Sequence, residues 1–412
     1  MNGPGPVEEQ ERNESLDVLR GFALFGVFMV NVSYMAMSTS AADKPEGGFG
    51  DQSAWAFVKI LFESKFVALF SLLFGAGLVM QALRAEAKGR RLGWTVLRRL
   101  AVLAVIGLLH GTLLFVGDIL LPYAAMGLVL YAAHRLPARI LGGIGLALAL
   151  LAAGLSSVGF ELLPAPEEQP SRIDDIDSTL GMLDVYFNGS DEDRDYIETV
   201  AFRQGPLESL LVVRSAGYFG WLLLSTLIGF NTRVLALFFL GAAAMKLGLF
   251  RAERRDLHRK LLARGLVVGL TVELLLVALR TATDHEGSWI LALVLPIRTL
   301  TSIVLAGAYA GGVLLLVWSR ALAPLRHGLA GVGRLSLSNY LGQSIAANLI
   351  FCYFGLALFG ELSRWELVGI VCVVFLFQMI ASTLWLRAFR IGPFEWLWRS
   401  LSYGRPQPLL RR

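Results

Sequence analysis

His110 and Asp118 stand close together in the sequence, with Gly107, Gly111 and Gly117 around them. A neutral imidazole beside a carboxylate is a general-base arrangement: the carboxylate fixes the tautomer, and the other ring nitrogen takes the proton. The glycines leave room for a close partner. The competing reading is a buried histidine bonded to a helix carbonyl, with Asp118 capping a helix over 119–134. His110 falls about five residues before the outer end of its apolar run, so roughly 8 Å below that surface at ~1.5 Å per residue.

Other ionisable groups sit where ordinary loop charges would not. Asp17 and Arg20 are three apart and share a helix face. They form either a salt bridge that positions the helix or an arginine facing a phosphate or carboxylate. Lys65 and Asn31 reach a depth similar to that of His110, and Glu273 and Arg298 are also deep. A charge left facing hydrocarbon costs roughly 2.5–3.5 kcal/mol on insertion scales. The expectation is therefore one polar cavity in the outer half of the membrane, shared by Lys65, His110 and Asp118, with Asn31 near its edge. Lys65 has the alternative of snorkelling outward, and Glu273 with Arg298 that of a structural pair. Asn339, Gln343 and Asn348 recur at helical spacing and either line a cavity or join helices. His134, His258 and His327 fall in connections and are read as solvated; His285 is assigned nothing. Cys352 and Cys372 lie in separate apolar runs, and no Cys/His spacing forms a metal site.

The elements that must position these groups are membrane helices. The chain is 55% hydrophobic and 17% charged, against about 25% charge in soluble domains. Apolar runs of about 20 residues recur throughout, each long enough to cross a bilayer. This predicts an all-α polytopic transmembrane bundle. It excludes a secreted disulfide scaffold, a soluble dinucleotide-binding enzyme, a nucleic-acid binder and a β-barrel. Spans are expected near 18–38, 60–83, 97–115, 118–134, 138–160, 233–250, 265–283, 289–318, 337–360 and 365–387. The acidic residues Glu8, Glu9, Glu11 and Glu14 before the first run argue against a signal peptide.

Three regions follow: a five-span half over 1–160, an acidic loop over 161–206 with one short helix near 179–187, and a second half over 207–412. Basic clusters at 84–99, 135–139, 251–264, 320–334 and the tail alternate with acidic or sparsely charged connections. By the positive-inside rule both termini are cytoplasmic and 161–206 is outside. Residues 207–232 carry Arg214. If they crossed fully, the cluster at 251–264 would face outward, so they are read as re-entrant or interfacial, leaving ten spans. An eleven-span count is the fallback.

Several blocks resemble the YeiB family of bacterial membrane proteins, a domain of unknown function. They are Leu16-Asp17-Val18-Leu19-Arg20-Gly21, Leu69-Phe70-Ser71-Leu72-Leu73-Phe74-Gly75, Gly117-Asp118-Ile119-Leu120-Leu121-Pro122-Tyr123, Gly333-Arg334-Leu335-Ser336-Leu337-Ser338-Asn339-Tyr340 and Gly392-Pro393-Phe394-Glu395-Trp396-Leu397-Trp398-Arg399. They lie in order over nearly the whole chain. The Asp-x-x-Arg-Gly opening is also distantly similar to that of transmembrane acyltransferases. That similarity implies a cytoplasmic acyl-CoA donor and an acceptor, a glycan or lipid-linked sugar, reached from the other side. His110 would then be the base and Asp118 its orienter. Arg20, Arg98 and Arg99 would meet the donor's anionic groups, and Asp17, Asn31, Lys65, Tyr123, Arg298, Asn339 and Gln343 would line the substrate path. The heparan-type group has a functional histidine soon after its first span, whereas residues 31–60 here contain none. A secondary transporter or flippase is the alternative, its buried charges forming a relay. The lipid bilayer is the expected partner, and association with a second copy is left open.

Overall fold

The computed structural model describes residues 14–44, 47–87, 93–161, 171–176, 178–283, 288–319 and 321–411. These residues are helical almost throughout, with no β-strand among them. The path runs back and forth between two ends, termed near and far. α1 (Glu14–Ala36) runs from near to far, where α2 (Thr39–Asp43) and α3 (Phe49–Leu61) fold across. α4 (Lys65–Ala87) returns, α5 (Gly93–Leu113) rises, α6 (Leu120–Ala133) returns and α7 (Ala138–Glu161) rises. At the far end follow α8 (Thr179–Asn188), α9 (Asp191–Arg203) and α10 (Leu207–Leu227). α11 (Phe230–Lys246) returns, α12 (Arg255–Ala282) rises and α13 (Ser288–Ser319) returns. α14 (Ala323–Arg334) stays at the near end, α15 (Ser336–Phe351) rises, α16 (Arg364–Ala388) returns, and α17 (Pro393–Tyr403) closes the near end.

Polar ties fix each end. At the near end, Lys246 Nζ donates to the Leu136 carbonyl (2.7 Å) and Trp398 Nε1 to the Arg99 carbonyl (2.8 Å). At the far end, the Gly360 amide donates to Ala36 (2.7 Å), and Arg364 reaches the carbonyls of Ala41 and Lys44. Apart from that of Arg99, which lies within α5, the carbonyls tied are in the last turn of a helix or just beyond its end, where intrahelical donors run out.

Among the described residues, eight helical stretches are long and apolar enough to cross a bilayer. Their outward faces carry Val105 and Leu109 on α5, Leu146 and Leu150 on α7, Val267 and Leu275 on α12, and Val373 and Phe377 on α16, all exposed. Contiguous apolar surface of this kind fits hydrocarbon as its solvent.

Length and composition count α10 among the eight, and its contacts are with elements of the far half. Before it, Gly205 packs under the Tyr353 ring just beyond α15. Midway, Gly217 meets Tyr186 and Gly220 meets Phe187, both on α8. After it, Gly229 (φ +73°) abuts Ala152 and Leu155 in the far half of α7. α6, α11 and α15 are shorter than the eight.

Three boundaries differ from the sequence expectation. The run near 60–83 is divided at Phe62–Ser64, where Ser64 takes φ +67° and a kink separates α3 from α4. The run near 337–360 stops at Phe351; positive φ at Ala357 and Gly360 folds the remainder into turns. Within 161–206 two helices form beyond residue 178, each started by a serine cap: Ser178 accepts from Gly181, and Ser190 forms a capping box with Asp193.

Candidate functional site

His110 is buried near the far end of α5 and is bonded on both ring nitrogens. Nδ1 lies 2.8 Å from Asp118 Oδ1, and Nε2 lies 2.9 Å from Ser344 Oγ on α15. All three side chains are at most 2% exposed. The local sequence builds this approach. A Cβ on Gly107 would stand 2.4 Å from the Leu121 amide nitrogen, so glycine there lets the start of α6 press against α5. A Cβ on Gly111 would stand 2.3 Å from the Tyr218 ring, which covers the pair from α10. Asp118 also accepts from the Leu121 amide through Oδ2 (3.0 Å). The capping reading and the orienting reading of Asp118 therefore hold together, one oxygen for each. The Tyr340 ring packs on His110 with centroids 4.9 Å apart.

Lys65 does not join this pair, nor does it snorkel. It is fully buried, with Nζ 2.8 Å from Glu273 Oε2 and donating to the Lys59 carbonyl (2.7 Å). Arg298 pairs with Glu63 (3.1 Å) and lies 3.4 Å from Glu273, so α4, α12 and α13 meet at a separate charge cluster. The shared outer cavity expected from depth is thus two clusters: similar depth along different helices does not fix the direction each side chain faces. Asn31 is half-buried and bonds in neither. Asn339 binds the carbonyls of Val332 and Leu335 and the Ser382 hydroxyl, and Gln343 binds Gln378, so both join α15 to α16. His258, read as solvated, is buried and bonds the Leu249 carbonyl (2.7 Å). His285 lies outside the described residues.

A cavity of about 230 Å³ opens at the near end, between α1, α4, α5, α6, α15 and α17. Arg20, Arg84, Arg99, Arg334 and Arg399 line it, against Asp17 and Glu395. Its walls then turn apolar along Leu73, Leu78, Leu100 and Leu103. Its lining also includes Ile119, Tyr123 and Tyr340, of which Tyr340 packs on His110, but not His110, Asp118 or Ser344 themselves. Asp17 holds Arg20 (3.1 Å), and Arg99 bonds Gln81 and stacks over Trp398. Tyr123 is fixed by Ser71 (2.7 Å). Glu395 accepts from the amides of Leu337 and Ser338, and burial raises its carboxyl above the ordinary range. Arg98 is not part of this lining; it turns to the Leu401 carbonyl at the end of α17 (2.9 Å). The arrangement can hold an amphiphile, its anionic group against the arginines and its apolar part along the leucines.

Sequence reasoning passed over Ser344, Tyr340, Tyr218, Arg399 and Glu395. Tyr340 and Ser344 are four apart, one face of a helix, and that was the available signal.

A family described as "Protein of unknown function (DUF418)" matches residues 244–405. "Uncharacterized protein YxaH" of Bacillus subtilis (strain 168) is 32% identical over 430 residues, covering 100% of this chain and 99% of the relative. "Uncharacterized protein YeiB" of Escherichia coli (strain K12) is 31% identical over 410 residues, covering 98% and 99%. The chain belongs to the YeiB/DUF418 family. As the resemblance implied, this YeiB/DUF418 chain is an all-α polytopic membrane protein. The matched segment spans α12 to α17 and so includes Ser344, Glu395 and Arg399. His110, Asp118 and Arg20 lie outside it but within the full-length alignments to both relatives.

Proposed function

We propose that this YeiB-family chain is a transmembrane acyltransferase. It takes an acyl group from a cytoplasmic CoA thioester and passes it to a hydroxyl or amine on an extracytoplasmic glycan or lipid-linked carrier. Ten helices cross the bilayer, with α10 interfacial and both termini inside. The support for this orientation is the basic clusters at the near end and the acidic α8–α9 at the far end. The protein then belongs in the cytoplasmic membrane of a bacterium.

One observation carries the reading: the arginine-lined cavity also has apolar walls and touches Tyr340, on whose ring His110 packs. An acyl-CoA has the matching form, a polyanionic head and an apolar chain joined at the reactive thioester. The thioester supplies the driving force, so no nucleotide hydrolysis is needed. Arg20 and Arg99 hold the head, and His110, oriented by Asp118, takes the proton of the attacking group.

The test uses purified protein in nanodiscs with palmitoyl-CoA. Arg20→Ala and Arg99→Ala should each weaken binding about tenfold or more, the loss of one charge-assisted bond of roughly 1.5–3 kcal/mol. His110→Ala should bind the donor normally yet give no turnover. Asp118→Asn should retain partial turnover, since the imidazole remains. No saturable donor binding by the native protein sinks the reading.

The Lys65–Glu273–Arg298–Glu63 cluster favours a second reading, a proton- or ion-coupled transporter, because such networks serve as relays within spans. Substrate accumulation in proteoliposomes under an imposed proton gradient, lost in Glu273→Gln, would select it.

A further inference from the structure

Ser344, His110 and Asp118 form a continuous chain of hydrogen bonds. The Ser344 hydroxyl lies 2.9 Å from Nε2, and Nδ1 lies 2.8 Å from the carboxylate. An imidazole protonated on Nδ1 donates to Asp118 and accepts from Ser344, which is the order of roles in a nucleophile–base–orienter set. The three come from α15, α5 and the turn before α6, so the grouping is a product of the tertiary fold. The alternative is a polar brace between helices. Beside the set, the cavity lining includes Tyr340, one helical turn before Ser344 on the same face, though neither His110 nor Ser344 itself. α5 and α15 both ascend from the mouth, through Arg99 and Ser336, past Leu103 and Tyr340, to His110 and Ser344.

We propose that Ser344 is a catalytic nucleophile and that acyl transfer runs through an acyl-Ser344 ester. This deepens the acyltransferase reading and rests on it. In the first half, Ser344 Oγ attacks the thioester carbonyl carbon while its proton passes to His110 Nε2. The new O–C bond forms, the C–S bond breaks, and the leaving thiolate takes the proton from His110. In the second half, His110 removes the proton of the acceptor hydroxyl or amine as that group attacks the ester carbonyl. The C–O bond to Ser344 breaks, and the serine oxygen recovers a proton from His110. The balance needs only the donor and the acceptor. Asp118 is a positioning residue in both halves. All three groups are closed to solvent in this structure, so each half requires the set to open toward the cavity at Tyr340, and closure between the halves keeps water from the ester.

The experiment combines two probes on the full-length protein in nanodiscs: palmitoyl-CoA followed by mass spectrometry of the Ser344 peptide, and a fluorophosphonate that labels activated serines. The expected result is an acyl adduct and a fluorophosphonate adduct on Ser344, both absent in Ser344→Ala and His110→Ala. Asp118→Asn should slow labelling at least about 100-fold, as loss of an orienter does elsewhere. Ser344→Cys, whose thiol can also be acylated, should restore adduct formation and exclude misfolding as the cause of the alanine result. Turnover by Ser344→Ala within about threefold of native, with His110→Ala inactive, overturns the covalent route and leaves direct transfer standing. If the native protein binds no acyl-CoA, the acyltransferase reading falls. The fluorophosphonate then decides alone: a labelled Ser344 supports a nucleophilic serine acting on another ester, and an unlabelled one overturns it.

Discussion

Gly107 is where one methyl group decides the site. Its Cβ would collide with backbone at Leu121, which cannot swing aside as a flexible side chain would. Gly107→Ala should cost about 1–3 kcal/mol by overpacking and separate Asp118 from His110. Lower thermal stability in detergent together with reduced turnover would register both. Glu273 gives a sharper contrast, because it faces two cations, Lys65 and Arg298. Glu273→Gln leaves Lys65 without its carboxylate, whereas Lys65→Met still leaves Glu273 beside Arg298. Removing one partner of a buried pair costs about 3–5 kcal/mol, and Glu273→Gln should be the more damaging of the two. Equal melting shifts for both would contradict this. The sequence made the His110–Asp118 pair legible because it is local and its glycines announce a close approach. Ser344 was hidden because it is 234 positions away. Lys65 was misgrouped because counting residues along a helix gives depth, while partner choice depends on which way the side chain faces.

At the scale of helices, length is a poor guide where polar ties intervene. α10 has 21 residues and is apolar, yet it lies over the far ends of α5 and α7. Arg214, which made it look unsuitable as a span, is what fastens it. Its guanidinium reaches the Leu113 carbonyl and Asn348 Oδ1 (2.8 Å), fixing α10 to α5 and α15. Cysteines placed at Glu208 and Thr226, at opposite ends of α10 and both exposed, should react with an impermeant maleimide on intact cells. Labelling of one only, with the other reactive after lysis, would make α10 a full crossing. The charge alternation behind the interfacial reading was available from sequence; the break at Ser64 was not, since nothing in Glu63-Ser64-Lys65 announces a positive φ. The early stop at Phe351 was likewise obscured by apolar residues that continue past it.

At the scale of the whole molecule, charge is divided between the ends: arginines at the near end, and acidic α8 and α9 at the far end. A cysteine at Ser178, exposed before α8, should label from outside intact cells. Reaction only in lysed cells would invert the orientation. The division was legible because it is compositional. The near-end cavity was not, since its walls come from residues between 16 and 399. One contact within that wide span sets the order of assembly. α1 and α14 touch backbone to backbone: a Cβ on Gly21 would stand 2.0 Å from the Leu329 carbonyl oxygen, and one on Gly333 1.8 Å from that of Asp17. No other helix can fill that groove in advance without being expelled later. Gly333 leaves the ribosome roughly three hundred residues after Gly21, a delay of about 15–60 s at ~5–20 residues per second. Throughout that interval the first helix to be made lacks its mate, with Asp17 and Arg20 already in place beside it. The packing of α1 is therefore incomplete until α14 is made, and in a chain cut short before α14 this helix should be cleaved by added protease faster than in the full-length protein.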